Sequence, residues 1–462
     1  MTATNVFVAI ATDAPPAQIP QRADHPIPRT GIKSQSKKLE TNKFYANFFL
    51  GTQASGTWTH PYSVAWSKGS GALNSWGLSI SHIERGQLAF ASGTPPEYFI
   101  SPIGIQSMIL SASELGNSTN ITLDSLDEFS VNVNLLPNAT AQPVITFPLL
   151  QGMGFVTGVY NNATPLIQSG VSMVALKYQG LIASNKTYKY LASLNDATQW
   201  LIYVTSSSTA YPGNTFTLTS ANAIVGKSGF KGTIQIAKIP SNTTDAQSVY
   251  DSAAGTYATA ASIQGSVNGN TGSYTMSWTK GGNTSQKLLM WALPHHNQTL
   301  SSRSGVTDLS LATTTKGYAT AVLGASWTLV EKNLPIDMGF APWSPSTGSV
   351  SSVSVDAANL INSVGTYELS EDITSQTDLN SMYYSGKGLA KFAAIIVALH
   401  DIVGNKTLAY TGLQKLEAAF ATFVNNTQII PLVYDSAWGG VVSSSTYNDG
   451  NINDDFGNTV YK

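Results

Sequence analysis

The pattern of hydrophobic and polar positions changes from strand-like to helix-like along the chain. From about residue 41, short runs of aromatic and β-branched residues are separated by Gly and Pro, as in TNKFYANFFLG (41–51), WTHPYSVAW (58–66) and WGLSISHIERGQLAFASG (76–93). Runs of this length and composition, bounded by turn residues, are typical of β-strands. We therefore predict a strand-rich N-terminal half.

Polar and apolar residues alternate in two later runs. Ile234 and Ile236 flank Gln235, and Tyr274, Met276 and Trp278 alternate with Ser and Thr. A period of two indicates antiparallel strands with one solvent-exposed face. Many short strands over more than two hundred residues predict a large β-sandwich, which we assign to residues 29–270.

Two segments flank the predicted sandwich. Residues 1–28 are rich in Pro and poor in apolar side chains, which predicts a mobile arm. Residues 271–345 have a mixed pattern that predicts a small α/β domain. Within it, Gly281 and Gly282 precede the apolar run LLMWALP (288–294), so we expect a hairpin there.

Helical periodicity begins after residue 345. The apolar positions that recur at helical spacing in 386–403 are Leu389, Phe392, Ile396, Leu399 and Val403. Gly404 is placed to cap this helix, and its largely apolar surface predicts burial on more than one side. Thr411 and Gln414 resemble a capping box at the start of a second helix, 411–423.

Composition and charge exclude several classes of partner. Charged residues make up only 11% of the chain and the net charge is −2, without a basic run, which disfavours nucleic acid and anionic membranes as partners. The absence of cysteine excludes disulfides and thiolate metal sites. No apolar run is long enough to span a bilayer, and the first twenty residues lack the features of a signal peptide.

Carboxylates and aromatic rings occur together between residues 431 and 462. Asp435, Asp449, Asp454 and Asp455 lie among Tyr and Trp residues and are separated by Gly and Asn. Rings for sugar faces and acids for hydroxyl groups or proton transfer are what a carbohydrate site needs. The alternative is a polar turn region with solvated acids.

Three other motifs give weaker evidence for a functional site. Glu368, Glu371 and Asp372 form an acid cluster that we interpret as structural, with Asp372 as a helix cap. Adjacent His295 and His296 at the end of an apparent strand would point to opposite faces, so we predict packing and no metal site. SGKG (385–388) lacks the first glycine of a phosphate-binding loop. No cofactor is predicted.

Six motifs resemble one known family. They are TNKFYANFFLG (41–51), HPYSVAW (60–66), PLLQGMGFVTGVYNNATPLIQSG (148–170), WALPHH (291–296), YYSGKGLAK (383–391) and YDSAWGG (434–440). In this order they are similar to glycoside hydrolase family 81, the fungal-type endo-β-1,3-glucanases. The similarity extends from about residue 27 to the last residue.

The resemblance implies a fold and a reaction. It implies an N-terminal β-sandwich, a small α/β domain and, in residues 346–462, the first helices of a C-terminal (α/α)6 barrel. It also implies hydrolysis of internal β-1,3-glucan bonds with inversion, in which an acid and a base stand about 6.5–9.5 Å apart.

The catalytic pair is expected outside residues 1–462. In the family, the proton donor belongs to an Asp-His-His-Phe-His-Tyr-Gly-Tyr motif that follows a segment like NDDFGNTVY (453–461), and the base is a Glu further on. Asp454 and Asp455 are therefore not assigned as catalysts. The 462-residue chain alone is predicted to be inactive.

What the resemblance carries over is contact with β-1,3-glucan, at Asp435, Trp438, Tyr384 and Lys387. Trp438 would stack on glucose and Asp435 would accept hydroxyl hydrogen bonds. The alternative for Trp438 is burial between barrel loops, and a structural role is the favoured interpretation of Tyr384 and Lys387. A non-catalytic glucan-binding or structural module is the rival function. An extracellular or cell-wall location is expected, with a cytoplasmic one left open.

Overall fold

The computed structural model describes most of the chain. It covers residues 5–9, 13–23, 28–34, 38–39, 43–100, 104–182, 187–208, 211, 214–240, 245–336, 346 and 352–444, and the backbone of short strands at 2–3, 343–344, 348–349 and 460–461. The described residues form two compact units. The N-terminal unit draws on 1–8, 27–35 and 42–334, and the C-terminal unit draws on 9–26, 36–41 and 335–462.

An eight-stranded antiparallel sheet is the largest element of the N-terminal unit. Its strands, in spatial order, are Met173–Ile182, Thr187–Leu194, Gln199–Ser206, Phe230–Ile239, Val156–Ala163, Ile145–Leu150, Ser130–Leu136 and Asn120–Asp124. Its central strands contribute many of the buried side chains, including Trp200, Ile202 and Ile236. The strand-rich pattern predicted for this half of the chain is confirmed.

A seven-stranded antiparallel sheet accompanies it. In spatial order its strands are Thr217–Ser220, Ala223–Val225, Pro165–Gln168, Met108–Ala112, Trp76–Ser81, Ser63–Lys68 and Thr57–Trp58. The motifs WTHPYSVAW and WGLSISHIERGQLAFASG both supply strands, as predicted. TNKFYANFFLG does not, because Ala46–Phe48 forms a single 3-10 turn in which Tyr45, Phe48 and Phe49 are buried.

Strand Phe230–Ile239 departs from the predicted alternation. Ile234, Gln235 and Ile236 are all buried, so this strand has no solvent-exposed face at these positions. The Gln235 amide donates to Thr157 Oγ1 (3.2 Å) and to the Thr256 carbonyl (2.9 Å), while Oε1 accepts from Gly255 N (2.6 Å). A buried polar side chain is tolerated when its hydrogen bonds are made. The prediction was wrong because it equated a polar residue with an exposed one.

Two smaller sheets complete the β-rich unit. One has four strands in the order Thr2–Ala3, Thr256–Asn268, Thr271–Gly282 and Ser326–Glu331. The other has three, in the order Leu289–Ala292, Tyr318–Leu323 and Val306–Ala312. Short helices lie at Ala246–Asp251 and Pro294–Thr299, and a further strand pair joins Ala89–Phe90 to Phe99–Ile100.

The hairpin predicted at Gly281 and Gly282 is wrong. Both glycines end strand Thr271–Gly282, where they pair with Tyr257 and Thr256, and the apolar strand Leu289–Ala292 belongs to the other sheet. Glycine is required there because a Cβ atom at either position would lie less than 3.0 Å from neighbouring atoms, including the Tyr257 ring. The boundary predicted at residue 270 falls in the tight turn of the hairpin between Thr256–Asn268 and Thr271–Gly282.

The C-terminal unit is mainly helical. Its helices are Val355–Ser370, Ile373–Thr377, Met382–Val397 with a π-helical extension Ala398–Ile402, and Lys406–Val424. Short strands pair Leu432–Asp435 with Gly440–Ser443, and Gly440–Ser443 with Val460–Tyr461. The change from strand to helix near residue 350 was predicted by the change in hydrophobic period.

Side-chain caps fix where the helices begin. Asp372 Oδ1 accepts from Ser375 N (3.3 Å), which confirms its predicted capping role. Asn405 Oδ1 accepts from Leu408 N (3.2 Å) and opens the last long helix. The capping box predicted at Thr411 is therefore wrong, since Thr411 lies inside that helix and donates to the Thr407 carbonyl. Gly404 has φ +77°, the left-handed conformation expected of a C-terminal cap.

The helices pack through a compact apolar cluster. Its fully buried side chains include Leu369, Phe392 and Leu399. Two glycines allow close approach, because a Cβ atom at Gly388 would lie less than 3.0 Å from the Gln376 carbonyl oxygen, and one at Gly412 would meet Leu369 as closely. Much of the surface of Met382–Val397 is only half-buried, so the burial predicted on more than one side is incomplete in the described residues.

Part of the predicted N-terminal arm pairs with the C-terminal unit's small sheet. Gln21–Arg22 runs parallel to Tyr434 and Asp435, and Asn426 Nδ2 donates to the Gln18 carbonyl (2.8 Å). The sequence analysis predicted a mobile arm because residues 1–28 contain few apolar side chains. Gln21–Arg22 is instead held by backbone hydrogen bonds, which do not depend on apolar side chains. Among the described helices, none combines the length and apolar character needed to cross a membrane.

Two glycines of one helix provide a matched test of this packing. We expect Gly388→Ala to lower the free energy of unfolding by about 1–3 kcal/mol, because the added methyl group overlaps the Gln376 carbonyl. Gly386→Ala meets open space and should raise the free energy by up to about 1 kcal/mol through helix propensity. Urea denaturation followed by circular dichroism measures both. Equal effects of the two substitutions would contradict the close approach.

Candidate functional site

Two of the predicted site residues lie together at the start of helix Met382–Val397. Ser381 caps this helix by accepting a hydrogen bond from Tyr384 N (3.3 Å), which fixes the first turn. The Tyr383 and Tyr384 rings stand edge to face, with centroids 5.2 Å apart. Lys387 Nζ lies 4.4 Å from the Tyr383 centroid and 5.7 Å from that of Tyr384. We call Tyr383, Tyr384 and Lys387 the tyrosine–lysine cluster.

The tyrosine–lysine cluster faces water. Tyr384 is 47% exposed, although it lies on a helix that buries Phe392 and Leu399. Exposed rings beside an ammonium group offer a flat apolar surface and hydrogen-bond donors at the same place. This combination suits a neutral ligand that carries hydroxyl groups.

Asp435 and Trp438 lie instead in a buried turn. Asp435 ends strand Leu432–Asp435, and its Oδ1 accepts from Ala437 N and Trp438 N, both at 2.9 Å. Gly439, with φ +72°, completes the turn before strand Gly440–Ser443. The Asp435 side chain therefore stabilises this turn, as Asp commonly does when it accepts hydrogen bonds from the backbone N–H groups two and three residues ahead.

The burial of these two residues limits what they do in this conformation. Asp435 is 0% exposed, and its Oδ2 has no hydrogen-bond partner among the residues that the structure describes. Trp438 is buried as well, which is the alternative that the sequence left open. Neither side chain presents a surface on which a glucan chain could lie. The other candidates of the terminal stretch, Asp449, Asp454 and Asp455, fall outside the described residues.

The acid cluster near residue 370 is structural. Glu368 Oε2 lies 2.6 Å from Lys391 Nζ, an ion pair that joins helices Val355–Ser370 and Met382–Val397. Asp378 accepts from Ile429 N (2.8 Å), so it fixes a loop rather than an open site. These contacts agree with the sequence interpretation of the cluster.

His295 and His296 lie on a short helix and not on a strand. Pro294 occupies the first turn of helix Pro294–Thr299, where a backbone N–H would have no partner within the helix. The centroids of the His295 and His296 imidazole rings are 4.0 Å apart. His296 Nδ1 accepts from Leu293 N (3.3 Å), which requires the neutral imidazole. Burial, and next the neighbouring His295, lower the pKa of His296 to about 4. No group of three or more His, Asp or Glu within the described residues is arranged to hold a metal ion.

One buried polar network has no signal in the sequence. His82 Nε2 lies 2.9 Å from the Ala312 carbonyl, and Nδ1 lies 3.3 Å from Glu84 Oε1. Glu84 also lies 3.6 Å from Lys238 Nζ. The contact with His82 holds the pKa of Glu84 below its usual value, while burial lowers the pKa of Lys238. His82 and Glu84 are far from Lys238 and Ala312 in the chain, so only the fold brings the four residues together.

The chain matches two family models over nearly its whole length. Residues 25–345 match the glycosyl hydrolase family 81 N-terminal domain, and residues 352–462 match the C-terminal domain of the same family. A mutant of the glycoside hydrolase family 81 protein from Clostridium thermocellum shares the fold, with a TM-score of 0.60 at 15% identity over 98% of this chain and 57% of that one.

Three fungal proteins are similar in sequence. Glucan endo-1,3-beta-D-glucosidase of Arthroderma benhamiae is 45% identical over 100% of this chain and 51% of its own length. Primary septum glucan endo-1,3-beta-D-glucosidase of Schizosaccharomyces pombe is 36% identical, with coverage of 99% and 44%. Glucan endo-1,3-beta-D-glucosidase 2 of Saccharomyces cerevisiae is 32% identical, with coverage of 97% and 56%.

The β-rich unit and the helical unit correspond to the two domain models of one family, which together match nearly the whole chain. This places the chain among the glycoside hydrolases. It belongs to glycosyl hydrolase family 81. The family resemblance drawn from the six motifs is thus confirmed. The chain spans about half the length of the three relatives, at 51%, 44% and 56%.

The low pKa of His296 predicts a specific pH dependence. Unfolded His titrates near 6.5 and folded His296 near 4, so the unfolded state binds the proton more readily between these values. The free energy of unfolding should therefore fall as the pH is lowered from 6.5 towards 4, by about 1–2 kcal/mol after allowance for partial exposure.

Urea denaturation at pH 7 and pH 4.5 tests this, with His296→Gln as the variant. Gln retains an acceptor for Leu293 N and does not titrate, so the variant should lose less stability on acidification than the unsubstituted chain. His295→Gln is the comparison variant: it removes only the smaller cause of the low pKa and leaves the burial of His296, so it should lose nearly as much stability as the unsubstituted chain. An identical loss of stability in all three chains would rule out His296 as the source.

Proposed function

We propose that the protein is an endo-β-1,3-glucanase that cleaves internal bonds of β-glucan with inversion. The observation that carries this proposal is that three relatives, 32–45% identical over at least 97% of this chain, are all named as glucan endo-1,3-beta-D-glucosidases. The low charge of the chain fits a neutral polymeric substrate. A role outside the cell or in the cell wall follows from that substrate.

The described residues would supply the scaffold and part of the binding surface. In this proposal the two large sheets stack as a β-sandwich, supported by a hydrogen bond from Tyr160 OH in one sheet to the Ser111 carbonyl in the other (3.1 Å). Residues 271–345 form the small α/β domain, and the C-terminal helices are the first of an (α/α)6 barrel. The general acid and base lie outside residues 1–462, as the family resemblance implies.

Within the C-terminal unit, the tyrosine–lysine cluster is the surface that we assign to substrate contact. The Tyr384 ring would stack on a glucose face, and Lys387 would donate to hydroxyl groups. We propose an indirect role for Asp435 and Trp438, which stabilise the turn in which they are buried. The contact roles first assigned to them by resemblance would require that turn to open.

The proposed function predicts a specific reaction product. A protein that contains these 462 residues and extends through the family's Asp-His-His motif should hydrolyse laminarin and curdlan, and the first product should carry the inverted, α-configured anomeric centre because water attacks the face opposite the leaving oxygen. Proton NMR of the initial product measures this. The 462-residue chain alone should release no sugar.

Three results would count against the reaction as proposed. Retention at the anomeric centre would exclude the inverting mechanism. Turnover by the purified 462-residue chain would place the catalytic pair within it. Binding of insoluble glucan by the extended protein without release of sugar would favour the rival binding-module function.

Substitution of Tyr384 tests the tyrosine–lysine cluster. Tyr384→Ser should weaken retention of the 462-residue chain in laminarin-containing native gels by roughly three- to tenfold, the loss expected when one stacked ring is removed. Tyr367→Ser is the matched control, because Tyr367 is an exposed tyrosine on a different helix of the same unit. Equal retention of both variants would exclude the tyrosine–lysine cluster as a contact surface.

A further inference from the structure

A cavity of about 320 Å³ opens on the N-terminal unit, and none of the described residues that line it belongs to the six family motifs. It lies between the loop and strand pair at 85–99 and the turn at 312–318, where strand Val306–Ala312 leads into strand Tyr318–Leu323. The side chains that could contact a ligand in this cavity are Arg85, Phe90, Phe99, Thr314, Thr315 and Tyr318, and we call the site that they form the Phe–Tyr pocket. Its volume is at the low end for ligand-binding pockets.

Aromatic rings left exposed to water are the first unusual feature of the Phe–Tyr pocket. Phe90 and Phe99 pair across a two-residue strand ladder, with ring centroids 5.2 Å apart, and both remain more than 40% exposed. Tyr318 is 55% exposed on the opposite wall. Leaving three rings in water forgoes the free energy that their burial would release, so a concave aromatic surface indicates a ligand that covers it.

The polar groups of the pocket are donors and hydroxyls. The Arg85 guanidinium lies 5.9 Å from the Phe90 centroid, and Thr314 and Thr315 line the opposite wall. None of the described residues that line the cavity carries a carboxylate, which disfavours a cationic ligand. A single guanidinium among aromatic rings and hydroxyl groups provides little positive charge for an anion. The same groups suit a neutral sugar, because its hydroxyl groups need hydrogen-bond partners and its C–H face packs on aromatic rings.

Both walls of the pocket are tied to one buried side chain. His82 Nε2 lies 2.9 Å from the Ala312 carbonyl at the base of the turn, and its Nδ1 lies 3.3 Å from Glu84 on the loop that carries Arg85. Within the turn, Thr313 Oγ1 donates to the Gly317 carbonyl (2.6 Å) and accepts from Lys316 N (2.9 Å). The cavity is therefore held in shape before a ligand arrives, which lowers the cost of binding.

We propose that the Phe–Tyr pocket is a saccharide-binding site that holds pyranose units of a neutral polysaccharide. Phe90, Phe99 and Tyr318 provide the stacking surface, while Arg85, Thr314 and Thr315 bind hydroxyl groups. The choice of β-1,3-glucan as that polysaccharide rests on the proposed function. Such a site would hold the polymer on the β-rich unit.

Affinity electrophoresis of the 462-residue chain tests the pocket. Laminarin, a β-1,3-glucan, is compared with hydroxyethylcellulose, a β-1,4-glucan, and with yeast mannan. The variants are Phe90→Ser/Tyr318→Ser and, as matched control, Tyr98→Ser, because Tyr98 is 57% exposed on the same hairpin but does not line the cavity. All substituted side chains are exposed, so thermal unfolding should be unchanged and serves as the check on folding.

The pocket variant should bind laminarin about tenfold more weakly than the unsubstituted chain, while Tyr98→Ser should not differ from it. Unaltered laminarin binding by the pocket variant would overturn the pocket and leave the proposed function standing. Binding of cellulose or mannan alone, lost in the pocket variant, would support the pocket and count against the proposed function. If the unsubstituted chain binds none of the three polymers, the pocket is overturned.

Discussion

Burying a polar group without a hydrogen bond costs free energy, and this constraint explains many of the buried side-chain contacts in both units. With few charged residues available, neutral side chains carry most of that work. Gln168 shows the pattern in the seven-stranded sheet, since its amide donates to the Ser75 carbonyl (2.9 Å) and its oxygen accepts from Ser75 N (3.1 Å). Gln235 does the same for the eight-stranded sheet. Each of these side chains replaces a missing backbone partner and fixes a loop to a strand.

Exposed aromatic rings leave apolar surface in contact with water, and the protein has such rings at two places. The tyrosine–lysine cluster and the Phe–Tyr pocket both leave rings in water beside a cationic side chain, Lys387 in one and Arg85 in the other. A ligand that covers the rings and offers hydroxyl oxygens to the cation would remove the exposed apolar surface from water. Our two proposals therefore assign the same kind of ligand to both surfaces, although one lies on a helix and the other on a strand pair.

Local patterns predicted what depends on local physics. The change of hydrophobic period located the helical unit, Asp372 was recognised as a cap, and Gly404 as a helix terminator, because each rests on a few consecutive residues. Gln235 and the Gly281–Gly282 pair were misread, because their conformations depend on strands that the sequence does not show to be neighbours. His295 and His296 were placed on a strand because the apolar run before them hid the helix that starts at Pro294.

The candidate sites divide in the same way. The six motifs led to the correct family. The contact roles that the resemblance implied for Tyr384 and Lys387 remain proposals, and the burial of Asp435 and Trp438 is revealed by no local pattern. The Phe–Tyr pocket was missed altogether. Its walls are more than two hundred residues apart in the chain, and His82, which joins them, is an ordinary residue of a strand-like run until the three-stranded sheet brings Ala312 to its imidazole.

Acidic side chains have a different task from the aromatic ones. Glu368 joins two helices through Lys391, Asp435 clamps a turn, and Asp124 accepts from both Asn132 (2.9 Å) and Asn134 (2.8 Å) across strands. Each of these carboxyl groups is held in place by contacts within its own unit. Inverting hydrolysis requires one protonated and one ionised carboxyl group on either side of a sugar. Glu368, Asp435 and Asp124 each have such a structural contact, so we assign none of them to proton transfer.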